Sequence, residues 1–207
     1  MAFYIFPRAI PKEKCEEMLA SCLQNAKWED ATIFDGVLRD SNETITGEIE
    51  PAKPNSTSDH KIRKTDVSFV TDKDNMVNEV VWDYIRHANK IFFKYNLDHF
   101  QAVQFARYQN GGHYDWHQDY NYTEGATECR KLSLTMSLTD ETTYEGGELE
   151  FYNGGKPYRQ GKNNVLSDVR AQGSVIVFDS YDWHRVTPVT KGIRYSLVCW
   201  TVGPCFI

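Results

Sequence analysis

The sequence predicts a mainly β protein with flanking helices, an α+β arrangement whose strands form a sandwich or jelly roll. Two amphipathic helical segments fall within the first 99 residues, and short β-type runs separated by turns fill the chain from residue 100 onward. Many short, evenly spaced strands are typical of double-sheet folds. At 207 residues and 41% hydrophobic, the chain is long enough for one well-cored domain and short for two. We therefore predict a single domain over residues 1–207.

The first 99 residues are expected to supply helical support for the β core. Pro11 suits the first turn of a helix, where its missing N–H costs nothing. The first apolar stripe recurs at helical spacing and consists of Cys15, Met18, Leu19, Cys22 and Leu23. A second helix is expected after Thr71 or Asp72 as N-cap. Its stripe consists of Val77, Val80, Val81, Tyr84, Ile85, Ala88, Ile91 and Phe92. Both stripes are expected to cover one face of a sheet.

The β-type runs after residue 99 are FQAVQFARY, KLSLTMSLT, GELEFY, SVIVFD, HRVTPV and RYSLVCWTV. In KLSLTMSLT, leucine and methionine alternate with serine and threonine, so one strand face is apolar and the other is polar. A polar face opposite an apolar one suits a barrel whose interior holds a small charged ligand.

Composition excludes several classes of protein. The net charge is −6 with acidic and basic residues interspersed, so we expect no nucleic-acid partner. No run approaches the roughly 20 apolar residues of a membrane-spanning helix, and the N-terminal apolar stretch breaks at Pro7, which argues against a signal peptide. The five cysteines show no C-x-x-C spacing. We interpret them as free, buried thiols of a cytoplasmic protein.

Three separated residues predict one metal site. His117 and Asp119 lie two apart, so an extended strand end presents both on one face, and His184 opens a later run. Two histidines and one carboxylate leave positions open on a non-haem Fe(II), and the absence of cysteine argues against structural zinc. His113 and His99 are not expected to be ligands. The alternative is a surface His–Asp pair unrelated to His184.

Arg194 and Ser196 share one face of a predicted strand, ten and twelve residues after His184. A guanidinium binds a carboxylate through two hydrogen bonds, and a neighbouring hydroxyl supplies another. A buried arginine without a carboxylate is costly, which favours a bound dicarboxylate. The alternative is an exposed arginine in a salt bridge.

Three stretches, RYQNGGHYDWHQD, YEGGELEF and GSVIVFDSYDWHRVTPVTKGIRYSL, resemble the Fe(II)/2-oxoglutarate-dependent dioxygenases of the prolyl 4-hydroxylase type over residues 104–202. The resemblance implies a double-stranded β-helix core of the jelly-roll, cupin-like kind. It also implies a catalytic metal held by His117, Asp119 and His184, and 2-oxoglutarate bound to Arg194. The cofactors implied are Fe(II), 2-oxoglutarate and O₂, with a role for ascorbate left open.

Tyr108 and Tyr114 match the two tyrosines before the His-x-Asp pair in that family, where these positions line the cosubstrate pocket. The alternative for both is a barrel-filling aromatic side chain. Gly111-Gly112 and Gly146-Gly147 are interpreted as turn or bulge positions rather than ligand contacts.

The resemblance predicts hydroxylation of an unactivated C–H bond in a prolyl residue of a peptide or protein. Collagen-type enzymes usually have lysine where this chain has Arg194, which argues against a collagen substrate. A small-molecule or free amino acid hydroxylase is the main alternative. A nucleic-acid demethylase and a non-enzymatic metal-binding barrel are the others. The demethylase branch has a second arginine six residues after the first, and this chain has Trp200 there. The oligomeric state stays open.

The polar segment from Arg39 to Lys64 contains Pro51 and Pro54 and is long for a loop in a compact domain. Such loops are either functional or disordered. We expect a lid over the metal side of the barrel, with a plain surface connection as the alternative. Its basic residues Lys61, Arg63 and Lys64 are expected to face solvent rather than substrate.

Overall fold

The computed structural model describes residues 2–34, 56–57, 59–70, 75–120, 126–153, 156–158 and 169–205. The helical elements are α1 (Lys12–Asn25), α2 (Asn75–Ala88) and a π-helical turn (Asn89–Phe93) that continues α2. The first nine strands are β1 (Phe3–Phe6), β2 (Glu29–Asp30), β3 (Ile33–Phe34), β4 (Ser56–Thr57), β5 (Arg63–Lys64), β6 (Asp66–Phe69), β7 (His99–Phe100), β8 (Gln104–Gln109) and β9 (His113–His117). The others are β10 (Glu128–Ser137), β11 (Glu145–Gly146), β12 (Leu149–Asn153), β13 (Lys156–Tyr158), β14 (Val175–Asp179), β15 (His184–Val186), β16 (Val189–Lys191) and β17 (Ile193–Pro204).

Two antiparallel sheets form the framework. The major sheet has the order β1-β14-β10-β17-β8-β6-β2, and β7 also pairs with β17. The minor sheet has the order β13-β12-β15-β9-β5. Two further pairs, β11 with β16 and β3 with β4, complete the strands of the described residues. Sequence-distant strands are neighbours in both sheets, as the predicted jelly roll requires.

The major sheet buries both of its faces. On the outer face, α1 and α2 pack against strand residues such as Leu132, Leu134 and Met136 in one apolar cluster. On the inner face, residues such as Ala106, Ile176 and the minor-sheet Phe151 form a second cluster between the sheets. The polar residues of β10 therefore point into the barrel rather than into solvent, because the leucines occupy the helix-covered face.

The helical stripes are confirmed in part. Cys15, Met18 and Cys22 of α1 are buried, as are Val77, Val81, Ile85 and Ala88 of α2. The prediction is wrong for Leu23, Ile91 and Phe92, which are exposed. Cys15, Met18 and Cys22 form the buried face of α1, and Leu23 lies outside this face. Ile91 and Phe92 lie in the π-helical turn, whose wider i→i+5 spacing rotates them away from the core. Thr71 and Asp72, the expected N-caps, lie outside the described residues.

The N-terminal part contributes more strand than the sequence patterns indicated. Strands β1, β2 and β6 extend the major sheet, and β5 extends the minor sheet beside β9. Most of the segment expected to form a lid, residues 39–55 and 58, lies outside the described residues, so that expectation stays a prediction. Within the described chain, neither α-helix is long and apolar enough to cross a membrane. All five cysteines are free, and every one except Cys205 is buried.

Candidate active site

His117, Asp119 and His184 meet at the inner face of the minor sheet, as predicted. Their ligand atoms all lie within 4.8 Å of one another. The Nε2 atom of His117 is 3.6 Å from Asp119 Oδ1, and the Nε2 atom of His184 is 3.4 Å from Asp119 Oδ2. Two imidazoles and a carboxylate converging in this way form a donor set that could hold a divalent metal ion.

A β-bulge in β9 sets the orientation of His117. His184 pairs with His117, and Val186 pairs with Tyr114. Between these two pairs β9 therefore contains one residue more than β15. Residues three apart on a regular strand face opposite sides. The bulge brings Tyr114 and His117 to the same side, where their rings stack with centroids 3.4 Å apart at an interplanar angle of 11°. Bulges commonly re-aim side chains beside active sites.

Main-chain carbonyls fix both imidazole rings. The Nδ1 atom of His117 lies 2.7 Å from the Asp115 carbonyl oxygen, and that of His184 lies 2.8 Å from the Asp182 carbonyl oxygen. A carbonyl can only accept a hydrogen bond, so each Nδ1 carries a proton, and Nε2 is the nitrogen that faces Asp119 in both rings. This arrangement is the one that metal-binding histidines ordinarily show.

Hydrogen bonds from residues of β10 hold Asp119 in place. Ser133 Oγ on β10 donates to Asp119 Oδ2 at 2.7 Å and also lies 2.9 Å from Ser180 Oγ. Arg130 donates to the Asp119 main-chain oxygen at 3.4 Å. Neither Ser133 nor Arg130 was predicted from the sequence, although the alternating polar face of β10 includes Ser133.

Burial and charge keep the donors in their metal-binding forms. Burial, reinforced by the nearby His184, lowers the pKa of His117 to about 3, so its imidazole is neutral. Burial alone would raise the pKa of Asp119, but the neighbouring His184, His117 and Arg130 lower it to about 2. The cluster therefore presents a neutral His117 imidazole and an ionised Asp119 carboxylate.

Arg194 enters the same pocket from the major sheet. It is 4% exposed, and its Nη1 donates to Ser196 Oγ at 3.2 Å on the same strand. Its guanidinium carbon lies 5.2 Å from the centre of the Tyr108 ring, which is its direct cross-strand partner on β8. Arg194 forms no ion pair within the described residues, so the alternative of an exposed arginine in a salt bridge is wrong.

The glycine pairs lie in tight backbone, as expected. Gly146 and Gly147 both have positive φ angles, and a bulge separates Glu145 from Gly146 in β11. A Cβ atom on Gly147 would lie 2.9 Å from Arg194 Cδ. Gly147 therefore leaves room for the Arg194 side chain.

The pocket around the cluster contains three of the four other predicted site residues, and the fourth, Ser196, is connected to it through its hydrogen bond to Arg194. Tyr108, Tyr114 and Arg194 line it together with the three metal-site residues. Burial raises the pKa of Tyr114 to about 12, so its hydroxyl stays protonated. His113 and His99 are not members of the donor cluster. Lys61 and Lys64 are exposed as expected. The solvent-facing prediction is wrong for Arg63, which is 7% exposed and lines the pocket.

A jelly-roll core with a two-histidine, one-carboxylate cluster at its inner face is the arrangement expected of a non-haem metal site with open coordination positions. A family model described as the 2OG-Fe(II) oxygenase superfamily matches residues 103–202. These residues make up just under half of the chain, and their similarity to that superfamily agrees with the motif resemblance.

The curated relatives that match this chain carry the name PKHD-type hydroxylase. A PKHD-type hydroxylase of Idiomarina loihiensis is 34% identical over 100 residues, which are 47% of this chain and 40% of the relative. The PKHD-type hydroxylase YbiX of Escherichia coli is 31% identical over 130 residues, which are 59% of this chain and 52% of the relative. The chain thus spans about half the length of these relatives.

Solved structures support the fold. A Trichoplax adhaerens prolyl hydroxylase, solved in complex with a hypoxia inducible factor oxygen degradation domain peptide fragment, superimposes with a TM-score of 0.69. It is 17% identical, and the match covers 96% of this chain and 82% of that one. At this identity the likeness shows the fold alone, and the predicted double-stranded β-helix is confirmed.

Proposed function

We propose that this protein is a non-haem Fe(II)- and 2-oxoglutarate-dependent dioxygenase that hydroxylates an unactivated C–H bond. One observation carries the proposal: a His-Asp-His donor cluster and a buried arginine without an acidic partner in the described residues line the same pocket. The donor cluster suits Fe(II), and the arginine suits a dicarboxylate.

His117, Asp119 and His184 would hold the metal. They approach from β9, the loop after it and β15, and all three line the pocket. When bound, Fe(II) with 2-oxoglutarate and O₂ would supply the oxidant, with one oxygen atom going to the substrate as a hydroxyl group and the other to succinate, which would form together with CO₂. The chain contributes fixed ligands, an oriented cosubstrate and a largely apolar wall. Ascorbate would serve only to restore reduced metal.

Arg194 and Ser196 would bind the cosubstrate carboxylate remote from the metal. The Tyr108 ring beneath the guanidinium restricts its orientation, and Ser196 occupies one of its donors. A preorganised guanidinium loses little entropy on binding a carboxylate. Tyr108 and Tyr114 would line the cosubstrate and metal space, and the protonated Tyr114 hydroxyl is able to donate a hydrogen bond.

We infer that a prolyl residue in a peptide or protein is the substrate, in keeping with the solved structure described above. The Trichoplax adhaerens neighbour is a prolyl hydroxylase in complex with a peptide. Arg194 in place of lysine argues against a collagen sequence. The five free thiols support a reducing compartment such as the cytoplasm.

A turnover screen tests the proposal. Proline-containing peptides and free amino acids are incubated with the protein, Fe(II), 2-oxoglutarate and O₂, and succinate and oxygenated products are measured by mass spectrometry. We expect a product that carries one added oxygen atom, formed together with succinate and absent with Asp119→Ala. Succinate formation that is equal in the wild type and Asp119→Ala would contradict the proposal.

A further inference from the structure

Arg63 is a second buried arginine in the pocket, and it lies on the opposite sheet from Arg194. Strand β5 adds to the edge of the minor sheet, where Arg63 is the direct cross-strand partner of Tyr114. Its guanidinium carbon lies 4.5 Å from the centre of the Tyr114 ring. Arg194 has the same relationship to Tyr108 in the major sheet. Each sheet therefore presents one arginine stacked on a tyrosine.

The hydrogen bonds of Arg63 are incomplete. Its Nη1 donates to the Thr32 carbonyl oxygen at 3.1 Å, while its Nε is buried and has no acceptor among the described residues. No ion pair within that part of the chain includes Arg63. Leaving a buried donor of a charged group unpaired is costly. A bound ligand that supplies an acceptor to the Arg63 Nε removes this energetic cost. An anionic acceptor also compensates the positive charge of the guanidinium.

With a metal ion and 2-oxoglutarate bound, the net charge of the groups in the pocket would be balanced by one more anion. Besides the two metal-site histidines, the lining residues that carry charge are Arg63, Arg194 and Asp119. With a divalent ion bound, the two arginines bring the positive charge to four, against one negative charge on Asp119 and two on 2-oxoglutarate. One positive charge remains, which matches a single carboxylate. The Nε1 atom of Trp200 is another buried donor in this pocket without an acceptor in the described chain.

We propose that Arg63 binds a carboxylate of the primary substrate, so that the enzyme acts on a carbon near a carboxylate group. This inference rests on the proposed dioxygenase function and specifies its substrate class. The stack of Arg63, Tyr114 and His117 links the substrate anion to a metal ligand, because Tyr114 contacts both neighbours. The carboxylate comes either from a free amino acid or from an acidic side chain beside the target residue of a peptide.

Binding to the Zn(II)- and 2-oxoglutarate-loaded protein tests the proposal without turnover. The probes are matched acid and amide pairs: each standard free L-amino acid with its carboxamide, and N-acetylated, C-amidated Ala-Pro-Asp with Ala-Pro-Asn. Tryptophan fluorescence and thermal shift report binding. We expect the wild type to bind the acid of at least one pair about 30-fold more tightly than the amide, since a buried charge pair contributes at least about 2 kcal/mol. The pair that responds identifies the source of the carboxylate.

Three variants assign the preference to Arg63. Arg63→Gln should abolish it, and Arg63→Lys should retain part of it because lysine keeps the charge but lacks the planar fork. Lys61→Gln, which removes an exposed charge two residues away, should leave it unchanged. Arg63→Lys still decides the question if Arg63→Gln does not fold.

Two results would overturn the proposal: no acid binds more tightly than its amide, or a folded Arg63 variant keeps the full wild-type preference. In either case Arg63 serves only to hold Tyr114. Binding of 2-oxoglutarate to the Zn(II) protein is measured separately, and the acid preference is also measured without 2-oxoglutarate. A failure of the dioxygenase proposal is thereby distinguished from a failure of the Arg63 assignment.

Discussion

His117 and His184 are direct cross-strand partners on β9 and β15, with ring centroids 4.1 Å apart. The pairing brings two proposed metal ligands from distant parts of the chain together through the main-chain ladder of the minor sheet. Asp119 then completes the cluster from the loop that follows β9. Because main-chain carbonyls orient both rings, we expect the donor set to be preorganised before metal binds.

Asp119→Asn should abolish tight metal binding, because an ionised, buried carboxylate is replaced by a neutral amide. Ser133→Ala should weaken metal affinity by about 10-fold to 100-fold, the effect typical of removing a partner behind a metal ligand. Isothermal titration with Zn(II) or anaerobic Fe(II) measures both changes. His113→Ala is the control, since His113 lies outside the donor cluster. Equal affinity in Asp119→Asn and wild type would contradict the assignment.

Arg194→Gln should raise the KM for 2-oxoglutarate by about 30-fold or more while metal affinity stays near that of the wild type. A buried, charge-assisted contact to a carboxylate contributes about 2–5 kcal/mol. Ser196→Ala should act in the same direction but less, because it removes one neutral hydrogen bond. Steady-state kinetics and metal titration separate the two effects. Loss of metal binding with an unchanged KM would make Arg194 a structural residue.

Gly147→Ala should weaken 2-oxoglutarate binding and destabilise the fold by about 1–3 kcal/mol, the usual cost of a strained backbone position. The φ angle of Gly147 is +68°, and an added Cβ would lie 2.9 Å from Arg194 Cδ. Gly111→Ala is a matched control, because its φ angle is +80° but nothing lies within 4 Å of an added Cβ. Thermal unfolding should show a loss in both variants, whereas only Gly147→Ala should change the KM for 2-oxoglutarate.

Tyr114→Phe should keep metal affinity close to that of the wild type, whereas Tyr114→Leu should lower it. Phenylalanine retains a ring that can stack on His117, and leucine does not. Metal titration of the two variants, with thermal unfolding to verify folding, measures the contribution of the stack. Identical metal affinity in both variants would mean that the carbonyl contact alone orients His117.

The linear motifs predicted that His117, Asp119 and His184 cluster because each of these residues carries its own local signal. His117 and Asp119 lie in one short run, His184 opens a strand after a turn, and Arg194 follows at a fixed distance. The alternation in KLSLTMSLT likewise predicted the two faces of β10, since strand periodicity is a local property. These features needed no knowledge of which strands are neighbours.

The features that the sequence did not reveal depend on long-range pairing. The bulge in β9 exists only relative to its partner β15, and the burial of Arg63 follows from the pairing of β5 with Tyr114. A basic cluster in a polar segment ordinarily indicates a solvated surface. The composition of the segment therefore predicted that Arg63 faces solvent, whereas Arg63 is buried. The single-domain boundaries stay a prediction, as does the lid.

Anaerobic titration of the protein with Fe(II) and 2-oxoglutarate, followed by visible absorption, tests the central claim most directly. Chelation of Fe(II) by the keto acid in the pocket produces a charge-transfer band. We predict that the wild type develops this band with one Fe(II) per chain, that Asp119→Ala does not, and that Arg194→Gln requires about 30-fold more 2-oxoglutarate. A wild-type protein that binds Fe(II) yet shows no band at saturating 2-oxoglutarate would contradict the account.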